Sequence, residues 1–200
     1  MKKILIIIIA VFTIISCSKE SKKESAKNEI TNFLNLFDTL KSDSLKIESI
    51  DSFVDSTMFD FKGKLIDTSY FHFINDKTIK LALQNDDNYY ACYKKSLNDS
   101  ILLLIMRTPN EYWENSIKFY LFDLKKSQTI DYLEVAQKWS DAGDYSEKYS
   151  IFNKNLIITY TKDCMLTNEE KNETICNDSI YNFEIGNDKF ILKRSEKSSK

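Results

Sequence analysis

The chain has 200 residues, of which 28 are basic and 30 are acidic, so its formal net charge is −2. Because it is slightly acidic and carries no basic block, it has no electrostatic reason to bind nucleic acid or an anionic bilayer surface. A hydrophobic content of 42% is enough for a core and excludes global disorder, while three glycines and one proline argue against phosphate-binding loops and long linkers.

The first sixteen residues are organised like a secretory signal. Lys2 and Lys3 provide a positive start. The run from Ile4 to Ile15 then carries no charge, and the small Ser16 stands directly before a cysteine. As a helix the apolar run would span about 18 Å, well short of the roughly 30 Å of a bilayer core. A membrane-spanning helix is therefore the weaker interpretation, and we expect residues 1–16 to be a signal peptide.

The end of this run, Ile14-Ile15-Ser16-Cys17, resembles the lipobox of bacterial lipoproteins. The usual lipobox has Leu three residues before the cysteine and Ala or Gly directly before it, so Ile14 and Ser16 are conservative departures. The resemblance implies that the Cys17 thiol is lipidated and that cleavage makes Cys17 the first mature residue. It also implies that the protein is anchored in the cell envelope, at the outer membrane, since two or three acyl chains keep a protein stably bound to a membrane. An ordinary secretory signal with a coincidental cysteine is the alternative.

After Cys17, residues 18–23 form a charged spacer without apolar side chains, which predicts a flexible tether over residues 17–23. We expect residues 24–200 to form a single α+β domain. Between Glu24 and Lys41 the apolar residues recur at helical spacing, which predicts an amphipathic helix that packs on its own sheet or binds a partner. Leu45 to Val54 fits a strand or a second short helix, and we favour the helix.

Beyond residue 57 the sequence consists of short apolar and aromatic runs separated by turns rich in Asn and Asp. This spacing predicts an antiparallel meander of about eight to ten strands, as a curved sheet or a barrel-like closed one. Ile101 to Met106 is apolar at every position and is expected to be a central strand. The predicted strands are Tyr70–Ile74, Thr78–Leu83, Tyr89–Tyr93, Ile101–Met106, Ile117–Leu124, Ile130–Val135, Tyr149–Phe152, Leu156–Tyr160, Ile180–Ile185 and Phe190–Leu192.

If Cys17 is lipidated, three cysteines remain. Export to an oxidising compartment would allow a disulfide to persist. Cys164 and Cys176 flank a polar loop and are the predicted intramolecular pair. Cys92 lies in an aromatic run and is expected to be a buried small hydrophobic residue rather than a reactive thiol.

The sequence contains little that points to catalysis, metal binding or a cofactor. His72 is the single histidine, and no nucleophile-elbow motif accompanies it. Zinc needs three or four convergent His or Cys ligands, so we expect no metal site and no cofactor. Asp141-Ala142-Gly143-Asp144 lacks the alternating ligands of a calcium-binding EF-hand loop and is predicted to be a solvated turn.

Aromatic residues are the more informative excess. Tyr112 and Trp113 fall in a predicted loop over residues 107–116, and Trp139 and Tyr145 fall in another over residues 136–146. Aromatic side chains in loops are enriched at binding surfaces because they offer a large rigid area with a polar tip. These four residues form a predicted recognition surface. The alternative is that their rings cap the ends of the β core.

Three functions fit these patterns, of which the first two are binding functions and the third is enzymatic. The first is a noncatalytic envelope lipoprotein that contacts the membrane through Cys17 and binds a protein or another envelope component. The second is an immunity or inhibitor protein directed against a periplasmic toxin or hydrolase. The third is a hydrolase that uses carboxylates and His72, and it is the weakest because no convergent catalytic set is visible in the sequence.

Overall fold

The computed structural model describes residues 27–48, 61–109, 115–168 and 173–199. The predicted signal peptide, Cys17 and the tether lie outside these residues. The chain divides between Asn35 and Leu36 into two compact units. The single domain over residues 24–200 stays a prediction. No helix within the described ranges is long and apolar enough to cross a membrane.

In the first unit, residues 27–34 are helical and form α1. The hydroxyl of Thr31 donates to the carbonyl of Lys27 at 2.9 Å, and the Asn35 N–H donates to the carbonyl of Thr31 at 3.0 Å. The helix thus ends well before Lys41, the predicted limit. Residues 24–26, where the prediction placed its start, lie outside the described part.

The second unit is dominated by strands. Its described residues form β1 (Asp38–Thr39), β2 (Ser44–Ile47), β3 (Lys64–Leu65), β4 (Tyr90–Ser96), β5 (Ile101–Pro109), β6 (Asn115–Asp123), β7 (Gln128–Asp141), β8 (Asp144–Asn153), β9 (Leu156–Asn168), β10 (Glu173–Ile185) and β11 (Phe190–Ser199). A 3₁₀ helix, Thr68–Phe73, and a short helix α2, Ile79–Asn85, lie between β3 and β4.

The strands form one open, mostly antiparallel sheet in the order β1-β4-β5-β6-β7-β8-β9-β10-β11. From β4 onward each strand pairs with its neighbour in sequence, as the predicted meander requires. Pairing between described strands does not close this path, so the curved sheet of the prediction is correct and its barrel-like alternative is not. The parallel pairing of β1 with β4 is the departure from a simple meander.

Strand β7 forms the corner of the sheet. Its first part, up to Ala136, pairs with β6, and its last part, from Gln137 to Asp141, pairs with β8. A register shift near Ala136 separates the two parts, and such a shift bends a strand. The rest of the β8 edge is taken by β2, whose Ile47 lies opposite Ser150.

The main core lies on the inner face of this bent sheet. Strands β5 and β6 supply fully buried side chains such as Leu103 and Phe119, and Phe152 and Ile157 join them from β8 and β9. Ring contact within the core includes an edge-on packing of Phe119 against Phe152 with centroids 5.6 Å apart. Almost every residue of β5 is buried, which confirms Ile101–Met106 as a central strand.

The opposite face of β5 and β6 is covered by the segment between β3 and β4. Phe71 of the 3₁₀ helix packs against Tyr89 with ring centroids 5.1 Å apart, and both side chains are buried. The two strands predicted here, Tyr70–Ile74 and Thr78–Leu83, are wrong because the chain is helical instead. The Asp67 carboxylate accepts the Ser69 N–H at 2.8 Å and starts the 3₁₀ helix, a local bond that competes with strand pairing.

The predicted second helix over Leu45–Val54 is also wrong where it can be examined. Ser44–Ile47 is the strand β2, and its alternating exposure ends with Ile47 fully buried. Pairing with β8 and burial of Ile47 outweigh the weak helical pattern of this segment. Residues 49–60, which include the remainder of the predicted helix, lie outside the described residues.

Candidate functional site

A half-open groove of about 310 Å³ lies on the inner face of the sheet beside the main core. It forms where β7 bends away from β6 and crosses onto β8. Side chains from β7, β8, β9 and β10 line it. Those that carry most of its polar character are Glu134, Gln137, Ser146, Lys148, Thr161 and Asp163.

The groove is polar because the inner face changes character along the strands. Antiparallel pairing aligns inner-face residues of β8, β9 and β10 into rows that run across the sheet. The rows are Phe152–Ile157–Phe183, then Ser150–Thr159–Tyr181, then Lys148–Thr161–Ser179, and then Ser146–Asp163–Asn177. The first row belongs to the core, and the next three carry hydroxyl, amine, amide and carboxylate groups. The groove is therefore the polar continuation of the core surface.

An ion pair forms one wall. The Lys148 ammonium lies 2.6 Å from the Glu134 carboxylate, and the two side chains are 21% and 23% exposed. Gln137 lies directly opposite Lys148 in the β7–β8 ladder, so its amide reaches the same face. This wall presents both hydrogen-bond donors and acceptors to the groove.

Hydroxyl groups form the floor and hold it in place. Ser146 donates to the Asp163 carboxylate at 2.6 Å, and Ser146 itself is buried. Deeper in, Ser150 donates to the carbonyl of Val135 at 2.6 Å and lies 2.8 Å from the hydroxyl of Thr159. The Ser150 bond links β8 to β7 just before the two strands begin to pair.

Two aromatic rings complete the groove. Tyr181 and Phe183 are two residues apart on β10 and point to the same face. Their ring centroids are 6.3 Å apart and their planes differ by 29°, so the two rings form a stacked aromatic pair. Phe183 also packs against the main core, which fixes the position of this aromatic pair.

A second polar cluster lies on the covered face of the sheet. The Asp76 carboxylate accepts the Lys118 ammonium at 2.9 Å and the Tyr120 hydroxyl. It also accepts the N–H and hydroxyl of Thr78, each at 2.8 Å, and Thr78 shares a 2.6 Å hydrogen bond with Tyr89. The side chains of Asp76 and Lys118 are 0% and 4% exposed, so this cluster is sealed from solvent.

Burial and pairing set the ionisation of this cluster. Burial by itself raises the pKa of Asp76, but the Lys118 ammonium and the hydrogen bonds from Tyr120 and Thr78 outweigh it, so the pKa is lowered. Burial, together with the nearby Asp76 charge, raises the pKa of Tyr120 and of Tyr89 well above the ordinary value. Asp76 is therefore ionised and both phenols are neutral at pH 7. The cluster is an internal ion pair that ties the 3₁₀–α2 segment to β6.

The structure describes only two of the four residues of the predicted recognition surface. Tyr112 and Trp113 lie outside the described residues. The predicted loop over residues 136–146 is wrong, because Trp139 lies in β7 and Tyr145 in β8, joined by a tight turn. Trp139 is opposite Ser146 and so shares the face of the groove, whereas Tyr145 points to the other face.

Tyr145 has a local partner on its own face. Its hydroxyl donates to the Glu147 carboxylate, and burial together with that carboxylate raises the pKa of Tyr145 to about 12. Trp139 and Tyr145 therefore lie on opposite faces of the sheet and do not form one surface.

Cys164 and Cys176, the pair expected from the sequence, are joined by a disulfide with their Cα atoms 4.1 Å apart. They lie directly opposite each other in the β9–β10 ladder, beyond the row that contains Asp163. Cys92 is the free cysteine among the described residues. It is buried, and burial raises the pKa of its thiol to about 12, as expected of a small hydrophobic residue.

The remaining chemical candidates lie elsewhere. His72 is in the 3₁₀ helix rather than in a strand, and its Nδ1 lies 2.6 Å from the carbonyl of Ser69. Asp141 and Asp144 flank the β7–β8 turn, where Ala142 and Gly143 adopt positive φ. In the ranges that the structure describes, no group of three or more His, Cys, Asp or Glu residues is placed to hold a metal ion.

The sequence does not reveal the groove, because β8 and β9 carry polar residues on both faces. In β8 the inner Ser146 and Lys148 alternate with outer residues that are also polar, so the pattern does not indicate which residues face inward. Lys118 did give a signal. A single lysine within the otherwise apolar run from Ile117 to Phe122 must be paired if the strand is covered on both faces.

No protein-family model, curated protein or solved structure matches the chain.

Proposed function

We propose that this chain is a noncatalytic binding protein of the cell envelope, held at the outer membrane by lipid on Cys17, and that the groove on β7–β10 is its binding site. The groove is the observation that carries the proposal. It combines a partly exposed ion pair, hydroxyl and amide groups and a stacked aromatic pair in one concave surface. Concave sites with a few convergent polar groups are where ligands usually bind.

The anchor rests on the lipobox-like residues that end at Cys17. Cys17→Ser removes the thiol that would carry the lipid. We expect the variant to leave the membrane fraction, and globomycin to cause the uncleaved precursor of the normal chain to accumulate. Membrane fractionation that is unchanged in Cys17→Ser would contradict lipid anchoring.

The binding site is tested by photo-cross-linking in the intact envelope. A benzophenone amino acid at Thr161 would point into the groove, and the same group at the adjacent Lys162 would point to the other face. We expect an envelope component to be cross-linked from position 161 and not from position 162. Equal cross-linking from both positions, or none from either, contradicts a role for the groove.

The inhibitor alternative makes a distinct prediction in the same experiment. A periplasmic toxin or hydrolase bound as a target would appear as a protein adduct of defined mass. The described residues give this alternative no separate structural support, and the hydrolase hypothesis that uses His72 gains none from the bond of that ring to Ser69.

A further inference from the structure

We propose that the ligand of the groove is an uncharged saccharide of about one or two sugar rings, recognised through side chains alone. This inference rests on the proposed binding function and names its ligand class. Four features of the groove support it: its position in the sheet, the polar groups that line it, its two aromatic rings and its volume.

The first feature is the position of the groove in the sheet. It lies on the face of β8, β9 and β10, and each of these strands is paired with a strand on both sides. Their backbone N–H and C=O groups are therefore used within the sheet. An extended peptide binds most readily by adding a strand to a free edge, and this face offers no such edge. Recognition in the groove must use side chains.

The second feature is the mixture of polar groups. Glu134 and Asp163 offer carboxylate oxygens, Lys148 and Gln137 offer N–H donors, and Thr161 adds a hydroxyl. A sugar hydroxyl both donates and accepts, so it can bond to every one of these groups. A strongly anionic ligand would be repelled by two carboxylates, while the single lysine is already paired with Glu134. The lining therefore favours a neutral ligand with many hydroxyls.

The third feature is the stacked aromatic pair. Tyr181 and Phe183 lie nearly parallel, with centroids 6.3 Å apart. The C–H groups on one face of a pyranose ring are apolar and pack on such rings, whereas its hydroxyls point to the sides, toward Lys148 and Asp163. An acyl chain would instead need an apolar tunnel, and most of the lining residues here are polar.

The fourth feature is size. The volume of about 310 Å³ lies at the lower end of the roughly 300–1,000 Å³ typical of small-molecule sites. It suits a short saccharide or one end of a longer glycan. Trp139 lies opposite Ser146 on the same face and can serve as a fluorescence reporter.

The experiment is a titration of the full mature protein with chitotriose, maltotriose, cellotriose and mannotriose. Binding is measured by calorimetry and by tryptophan fluorescence. We expect at least one of these trisaccharides to bind in the millimolar range. Tyr181→Ala should weaken that binding roughly tenfold, since the loss of an aromatic contact costs on the order of 1.4 kcal/mol. Glu134→Gln keeps the size of the side chain and should also weaken it.

The matched control is Tyr149→Ala. Tyr149 stacks on Tyr160 at 4.8 Å on the opposite face of the same strands, so its loss should leave saccharide binding unchanged. Absence of binding for all four trisaccharides, or equal loss in Tyr149→Ala and Tyr181→Ala, would overturn the saccharide proposal. If trialanine bound in the groove instead, or if Thr161 still cross-linked a protein in the envelope, the binding function would stand and the ligand class would be wrong.

Discussion

Two lysine–carboxylate pairs lie close together in the sheet but in different surroundings. Lys118 on β6 pairs with Asp76 beneath the 3₁₀–α2 segment, and both side chains are sealed from water. Lys148 on β8 pairs with Glu134 at the wall of the groove, and about a fifth of each side chain is exposed. The chemical groups are alike, and the two pairs differ in solvent exposure because the 3₁₀–α2 segment covers only the first. The first pair links the 3₁₀–α2 segment to β6 inside the fold, while the second faces the groove.

The largest expected effect comes from breaking the covered pair. Lys118→Met leaves the Asp76 charge buried without its cation, so we expect the free energy of unfolding to fall by about 3–5 kcal/mol. Urea denaturation measures this loss. A double variant, Asp76→Asn with Lys118→Met, should recover part of the stability, because no buried charge remains and the Asn oxygen can still accept hydrogen bonds from Thr78 and Tyr120. A loss below about 1 kcal/mol in Lys118→Met would mean that the pair is not sealed.

The disulfide sets the stability of the far end of the groove. Changing both Cys164 and Cys176 to Ser removes a cross-link between two residues that are 12 positions apart in the chain. We expect a loss of about 2–4 kcal/mol in the free energy of unfolding. Hydrogen exchange should rise most in β9 and β10 near Asp163 and little in β5 and β6. Uniformly faster exchange across the sheet would contradict a local effect.

Acid should weaken the covered pair. The pKa of Asp76 is lowered in the folded protein relative to its ordinary value of 3.8, so its contribution to stability is fully present above that value. This contribution is lost as the pH falls through the lower folded pKa. We expect the free energy of unfolding, measured by urea denaturation between pH 5 and about pH 2, to decrease less steeply in Asp76→Asn. An identical pH dependence in both proteins would exclude Asp76 as the source.

The smallest effect on stability is expected in the groove. Lys148→Met breaks a partly exposed ion pair, and such pairs contribute about 1 kcal/mol or less. Thermal unfolding of this variant should stay within a few degrees of the normal protein, while its saccharide binding should fall. A loss of stability equal to that of Lys118→Met would show that the Glu134 pair is structural and would remove the distinction between the two regions.

Much of the sheet could be predicted from local pattern. Ile101–Met106 is apolar on both faces, Ile117–Phe122 is so except for Lys118, and each became a buried strand at the centre of the sheet. The segment Thr68–Asn85 could not be predicted in the same way. Its aromatic and aliphatic residues resemble strands, but Asp67 and Asp76 bond nearby N–H groups and turn the chain into short helices. Local bonds and the burial of Phe71 and Tyr89 decided its structure.

The groove was less predictable than the fold. Ser146, Lys148 and Asp163 belong to strands in which both faces are polar, so the sequence does not say which of them converge. Trp139 and Tyr145 were predicted to share a recognition surface, but Tyr145 points to the opposite face from Trp139. Convergence depends on the bend in β7, which places residues from four strands around one space.

By itself the sequence determined the succession of strands from β4 onward, because apolar period and turn residues are local properties. The signal-like start that ends at Cys17 stays a prediction from the same kind of local pattern. The pairing of Cys164 with Cys176 was predicted from their positions on either side of a polar loop. The tertiary structure decided which charges are sealed and which face a groove. That decision depends on the register shift in β7 and on the segment that covers Lys118, and both bring together residues that are distant in the chain.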